Sequence, residues 1–150
     1  MTLKQAIKLF ESLESETSKK SEVKIYQRFT QILTGLEKRN LAETDIQSIE
    51  AKLNSLSLES NPENRKKHVK KSLSTFEKYL EDSFSLTTAK YYTNLYSGLG
   101  LSFGLLFGVV FLSNLERSLG ISLGLIGGVV IGMLIGRSKD AQAAAEGNVL

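Results

Sequence analysis

Apolar residues follow two different rules along this chain. Up to about residue 84 they recur at intervals of three and four between polar residues, whereas from Tyr91 to Gly136 they run on with no charge except Glu116 and Arg117. The first rule is that of amphipathic helices burying one face. The second is that of helices whose surroundings are apolar on every side.

In the first part, Thr2 and Gln5 have the form of a capping box, and Leu3, Ala6, Ile7, Phe10 and Leu13 follow at helical spacing, predicting a helix over about 3–15. The polar run from Ser15 to Ser21 separates it from a second stripe of Val23, Tyr26, Phe29, Leu33 and Leu36, widened by Ile25 and Ile32. Thr44 and Gln47 offer another capping box, opening a third helix with Ile46, Ile49, Leu53 and Leu56 on one face. Ser60-Asn61-Pro62 predicts a stop and a restart, with Asn61 as cap and Pro62 in the first helical position. The fourth helix carries Val69, Leu73, Phe76, Leu80 and Phe84. With no Gly or Pro between Pro62 and Gly98, it is expected to continue toward Tyr91, bending within Ser83–Thr88 where Ser and Thr bond to their own backbone. No period-two strand pattern interrupts this series.

The two uncharged runs are 91–115 and 118–136. At about 1.5 Å per residue the shorter covers roughly 28 Å, close to the hydrocarbon thickness of a bilayer. Spans are therefore expected over about 96–115 and 118–136, with Tyr91, Tyr92 and Tyr96 as an aromatic belt and Arg137 with Lys139 closing the second span. The competing reading, two buried helices of a soluble bundle, requires a 150-residue protein to hide both runs.

Glycine adds a second pattern. Gly100, Gly104 and Gly108 recur every four residues in the first run, and Gly120, Gly124, Gly128, Gly132 and Gly136 do so in the second. In lipid, helices associate through close van der Waals contact, and small residues let backbones approach. The glycines are thus expected to form a packing groove, filled either by the other span or by a neighbouring chain. A repeat of four drifts around a 3.6-residue helix and favours a right-handed crossing. Gly127-Gly128-Val129-Val130-Ile131 resembles part of the amyloid precursor transmembrane segment, a short match that implies shared packing chemistry and no function. Gly98-x-Gly100-x-x-x-Gly104 is no dinucleotide loop, because such a loop follows a strand and opens a helix at the phosphates.

Composition narrows the chemistry. The chain has no cysteine, so neither disulfides nor thiolate metal sites are available, and its single histidine, His68, makes no metal site alone. Neither a cofactor nor a metal is expected. No phosphate loop, no HExxH and no supported acidic pair is present, so an enzyme is not expected either. The first ten residues lack the long apolar core of a signal peptide.

Charge is uneven. Residues 64–90 hold seven Lys or Arg against three acids, while 1–63 hold nine against ten. Arg65, Lys66, Lys67, Lys70 and Lys71 are candidate anion contacts, for anionic lipid ahead of nucleic acid, against the plainer role of a solvated face. Lys78 and Lys90 precede the first span and Arg137 with Lys139 follows the second, which predicts both termini on the cytoplasmic side.

The expected architecture is all-α: a cytoplasmic helical domain over 1–90, a glycine-zipper-like transmembrane hairpin over 91–137, and a short cytoplasmic tail over 138–150. The expected location is a bacterial inner membrane. The spans carry no ionisable residue between 91 and 115 or between 118 and 136, which argues against a pump or coupled transporter. The expected role is a scaffold or accessory subunit whose hairpin self-associates or docks into a membrane complex. The alternative is a membrane-perturbing or channel-forming oligomer gated by the cytoplasmic helices.

Overall fold

A computed structural model describes residues 1–60, 64–111 and 117–150. Among them are six helices: α1 (Leu3–Glu16), α2 (Lys20–Glu37), α3 (Glu43–Ser55), α4 (Arg65–Phe84), α5 (Tyr91–Val110) and α6 (Arg117–Ala145). The chain divides into two compact units, Met1–Leu86 with Leu150, and Thr87–Val149.

The first unit is built by the amphipathic stripes. α1 opens on the expected capping box, the Thr2 hydroxyl accepting from the Gln5 N–H at 3.2 Å while the Gln5 side chain accepts from the Thr2 N–H at 2.8 Å. Its buried face, Leu3, Ala6, Phe10 and Leu13, meets Tyr26, Phe29, Ile32, Leu33 and Leu36 from α2. Val69, Leu73, Phe76 and Leu80 of α4 and Ile49 and Leu53 of α3 complete the same core. Three phenylalanines from three helices form its centre: Phe10 stacks on Phe29 at 4.3 Å and Phe29 on Phe76 at 5.6 Å. All three side chains are fully buried. Arg28 donates to Glu77 at 2.7 Å, fastening α2 to α4 at the edge of this core. Burial pushes the Tyr26 hydroxyl above its ordinary pKa of 10.0, with Glu22 adding to the effect, so the side chain is neutral in the folded core.

Two local boundaries differ from the pattern reading. The box expected at Thr44 and Gln47 does not form. α3 starts at Glu43 after Ala42, which makes no side-chain cap, and Glu43 and Asp45 stand in the first turn, where carboxylates favour the positive end of the helix. α4 begins at Arg65, with the Asn64 side chain accepting from the Lys67 N–H at 3.3 Å, whereas the start expected at Asn61 and Pro62 lies outside the described residues. Nor does α4 bend on into the next helix: it ends at Phe84, with Ser85 in the left-handed region at φ 54°. The Leu86 N–H then donates to the Leu80 carbonyl and the Ser85 N–H to the Glu81 carbonyl, closing the helix end.

In the second unit, α5 and α6 form an antiparallel hairpin. Lys90, also left-handed at φ 64°, precedes α5. α6 runs on past the apolar segment to Ala145 and ends in a Schellman turn: the Asn148 N–H donates to the Ala143 carbonyl at 2.8 Å and the Gly147 N–H to the Ala144 carbonyl at 3.1 Å, with Gly147 at φ 72°. Residues 138–145 therefore continue α6, and the chain turns only after Ala145. The Thr87 N–H donates to the Asn148 carbonyl at 2.9 Å, tying the segment before α5 to the end of α6.

Candidate functional site

The site with the most distinctive geometry is the seam of the hairpin. A Cβ added at Gly100 would collide with the carbonyl of Gly128, and one added at Gly104 with the carbonyl of Gly124. At Gly108 it would stand 2.7 Å from the Gly120 oxygen. The relation is reciprocal: a Cβ at Gly124 would lie 2.7 Å from the Gly108 Cα, and one at Gly128 the same distance from the Gly104 Cα. Each step of four along α5 is thus answered by a step of four back along α6, as antiparallel pairing of two four-residue repeats requires. Any side chain beyond hydrogen would force the two backbones apart.

The register continues past the last glycine of α5. Gly132 faces the backbone of Tyr96, and Gly136 faces Tyr92 and Thr93, where an added Cβ would stand 2.6 Å from the Tyr92 oxygen. At this end only α6 supplies glycine, and α5 supplies backbone whose side chains turn elsewhere. Gly98 and Gly127, which stand outside the four-residue repeat, would meet nothing within 4 Å.

The same end is closed by a residue that the sequence pattern passed over. Asp140, one turn beyond Gly136, accepts from the Tyr92 N–H at 2.9 Å, the Thr93 N–H at 3.0 Å and the Thr93 hydroxyl at 2.6 Å. Lys90 provides no side-chain cap to α5, so a carboxylate from the partner helix performs that task and also meets the positive end of the helix dipole. Such an acid has no local signature, because the groups that it caps lie 47 and 48 residues away.

The expected interface residues gather here because an antiparallel hairpin brings the start of α5 beside the far part of α6. Tyr91 and Tyr92 pack edge to face at 5.2 Å, with Tyr92 and Tyr96 6.4 Å apart. Arg137 and Lys139 are exposed on α6. Residues 112–116, including Glu116, lie outside the described residues.

Outward from the seam the surface is apolar. Both helices are long and apolar enough to cross a membrane, yet only 11% of the apolar window of α5 and 22% of that of α6 are buried. A core helix of a soluble protein would be mostly covered. Phe103 is 69% exposed, Ile126 64%, Val110 62% and Leu134 61%. Two serine hydroxyls on these helices are spent locally, Ser102 donating to the Gly98 carbonyl at 3.2 Å and Ser122 to the Ser118 carbonyl at 2.8 Å, whereas the Ser97 hydroxyl is buried without a hydrogen-bond partner.

The basic cluster occupies the first two turns of α4. Lys66, Lys67, Lys70 and Lys71 are exposed, while Arg65 is half-buried with its Nε enclosed. His68 Nε2 stands 3.3 Å from the Ser57 carbonyl oxygen, a contact that ties α4 to the turn after α3. Among the described residues no group of three or more His, Cys, Asp or Glu could hold a metal.

No protein-family profile, curated protein or solved structure matches this chain.

Proposed function

We propose that this chain is a non-enzymatic integral membrane protein, a scaffold or accessory subunit that displays its N-terminal helical unit on a self-packed hairpin anchor. The observation that carries the reading is the pairing of a backbone-to-backbone glycine seam with outward faces that are almost wholly apolar and exposed. In water such faces cost about 25 cal/mol for each Å² left uncovered, whereas in lipid they cost nothing. Both termini lie on the cytoplasmic side, in keeping with the lysine and arginine distribution. The seam glycines already face their own hairpin. A second copy or a membrane partner is left with the outer faces and the N-terminal unit.

The test is residue-by-residue labelling in intact cells, simplified by the absence of native cysteine. A cysteine replacing Ser118 labels with an impermeant maleimide from outside, and one replacing Ser138 labels only after lysis. Labelling of the Ser138 position from outside overturns the orientation, and equal behaviour of both overturns the hairpin anchor. Mass measurement of the detergent-purified protein and identification of what accompanies it then tests the accessory role. Dye release from vesicles carrying the protein would replace that role with a pore.

A further inference from the structure

One side of the hairpin is not filled by its own side chains. An open groove of about 590 Å³ runs along the seam, floored by the glycine backbones and walled by Phe103 and Phe107 on α5 and by Leu123, Ile131 and Ile135 on α6. Its size is that of a small-molecule site, but its walls are almost wholly hydrocarbon and aromatic, Tyr96 being the one lining residue whose side chain carries a polar atom.

The length of the groove and the residue beyond its end point to an occupant. From Leu123 to Ile135 the α6 wall rises about 18 Å, close to the thickness of one leaflet and well short of the roughly 30 Å that a spanning helix of a second copy would cover. The wall residues Leu123, Gly127, Ile131 and Ile135 stand four apart, and the next position on that stripe is Lys139. Its side chain is exposed, and it lies about 6 Å beyond Ile135 along the helix, at the end where the tyrosines gather. Neighbouring Asp140 is engaged with the α5 N-terminus. An apolar slot about one leaflet long, with a cation one helical turn beyond its end, matches a chain and a phosphate on one molecule.

We propose that this groove holds one acyl chain of an anionic phospholipid and that Lys139 binds its phosphate. The proposal rests on the membrane reading above, and it is separate from the basic cluster of α4. Lysine suits the place because its flexible stem lies along apolar surface while the ammonium reaches the headgroup layer.

The chain has no tryptophan, so Phe103→Trp places a single reporter on the groove wall. The full chain carrying it is reconstituted into vesicles of phosphatidylcholine and phosphatidylglycerol, with brominated chains on one lipid or the other. The expected result is that brominated phosphatidylglycerol quenches with about five-fold higher apparent affinity, the effect of one lysine near an anionic headgroup. Lys139→Gln removes that preference, and Arg137→Gln, off the groove stripe, keeps it. Gly127→Leu projects into open space, fills the groove and weakens quenching by both lipids. Equal quenching by the two lipids, unaltered by Lys139→Gln, overturns the proposal and leaves the spans in place. Absence of quenching by either lipid removes the membrane reading and the proposal together. Quenching that fades as the protein-to-lipid ratio rises assigns the groove to a second copy and overturns the proposal.

Discussion

The N-terminal unit and the hairpin hold their helices together by opposite means. In the first, large side chains fill the space between helices: Phe10, Phe29 and Phe76 are 0% exposed and stacked on one another. In the second, side chains are excluded from the seam and point outward, so that the helices touch through Gly100, Gly104, Gly108 and their partners. On the membrane reading proposed above, the contrast follows from the solvent. Water rewards burial of apolar side chains, and hydrocarbon does not, so helices in lipid gain by bringing backbones into contact instead. The hairpin is thus an inside-out counterpart of the N-terminal core.

Opposite packing rules predict opposite mutational sensitivities. In the N-terminal unit the costly change is large to small. Phe29→Ala leaves a cavity between two rings and is expected to destabilise that unit by about 4 kcal/mol, read as an earlier first transition in the thermal melt of the full chain in detergent. A melt unchanged by this substitution would mean that the aromatic stack is not the centre of the core.

In the hairpin the costly change is small to large. Gly128→Leu drives a side chain into the backbone of Gly100 and Gly104 and is expected to cost about 3 kcal/mol, toward the upper part of the overpacking range. Its neighbour supplies the control: Gly127→Leu meets open space and is expected to leave hairpin stability within about 0.5 kcal/mol. Titration from mild detergent into dodecyl sulfate measures both. Equal sensitivity at the two positions would erase the distinction between seam and surface.

A smaller loss than that of Gly128→Leu is expected at the end of the hairpin. Asp140→Asn keeps the shape but removes the charge that accepts from two backbone N–H groups and the Thr93 hydroxyl. The expected loss is about 1–2 kcal/mol, with fraying confined to the first turn of α5, measured by amide hydrogen exchange at Tyr92 and Thr93. Exchange unchanged at those two amides would show that the cap is dispensable.

Legibility from sequence tracked how local each cause is. The stripes of α1, α2 and α4 were readable because their burial follows from spacing alone, and the glycine repeats were readable as a groove for the same reason. Which helix fills the groove was not readable. A repeat of four says that something approaches closely, and only the fold matches Gly100 with Gly128. Asp140 was invisible because its partners lie far away in sequence. The break between α4 and α5 was underestimated because Ser85 and Lys90 adopt the left-handed conformation that usually announces itself through glycine. The opposite signal is present in Gly147, two residues after the alanine-rich end of α6, and marks where that helix stops.

The central claim is that the side chains turned away from the seam face lipid. It is tested most directly by spin labels on single cysteines at Leu106, Val130 and Leu134, each at least half exposed, in the full chain reconstituted into liposomes. The account predicts frequent collisions with dissolved oxygen, which concentrates in hydrocarbon, and few with a water-soluble nickel chelate at all three positions. Frequent nickel collisions would place these faces in water. Low values for both reagents would place them inside a protein interior, and either outcome would contradict the account.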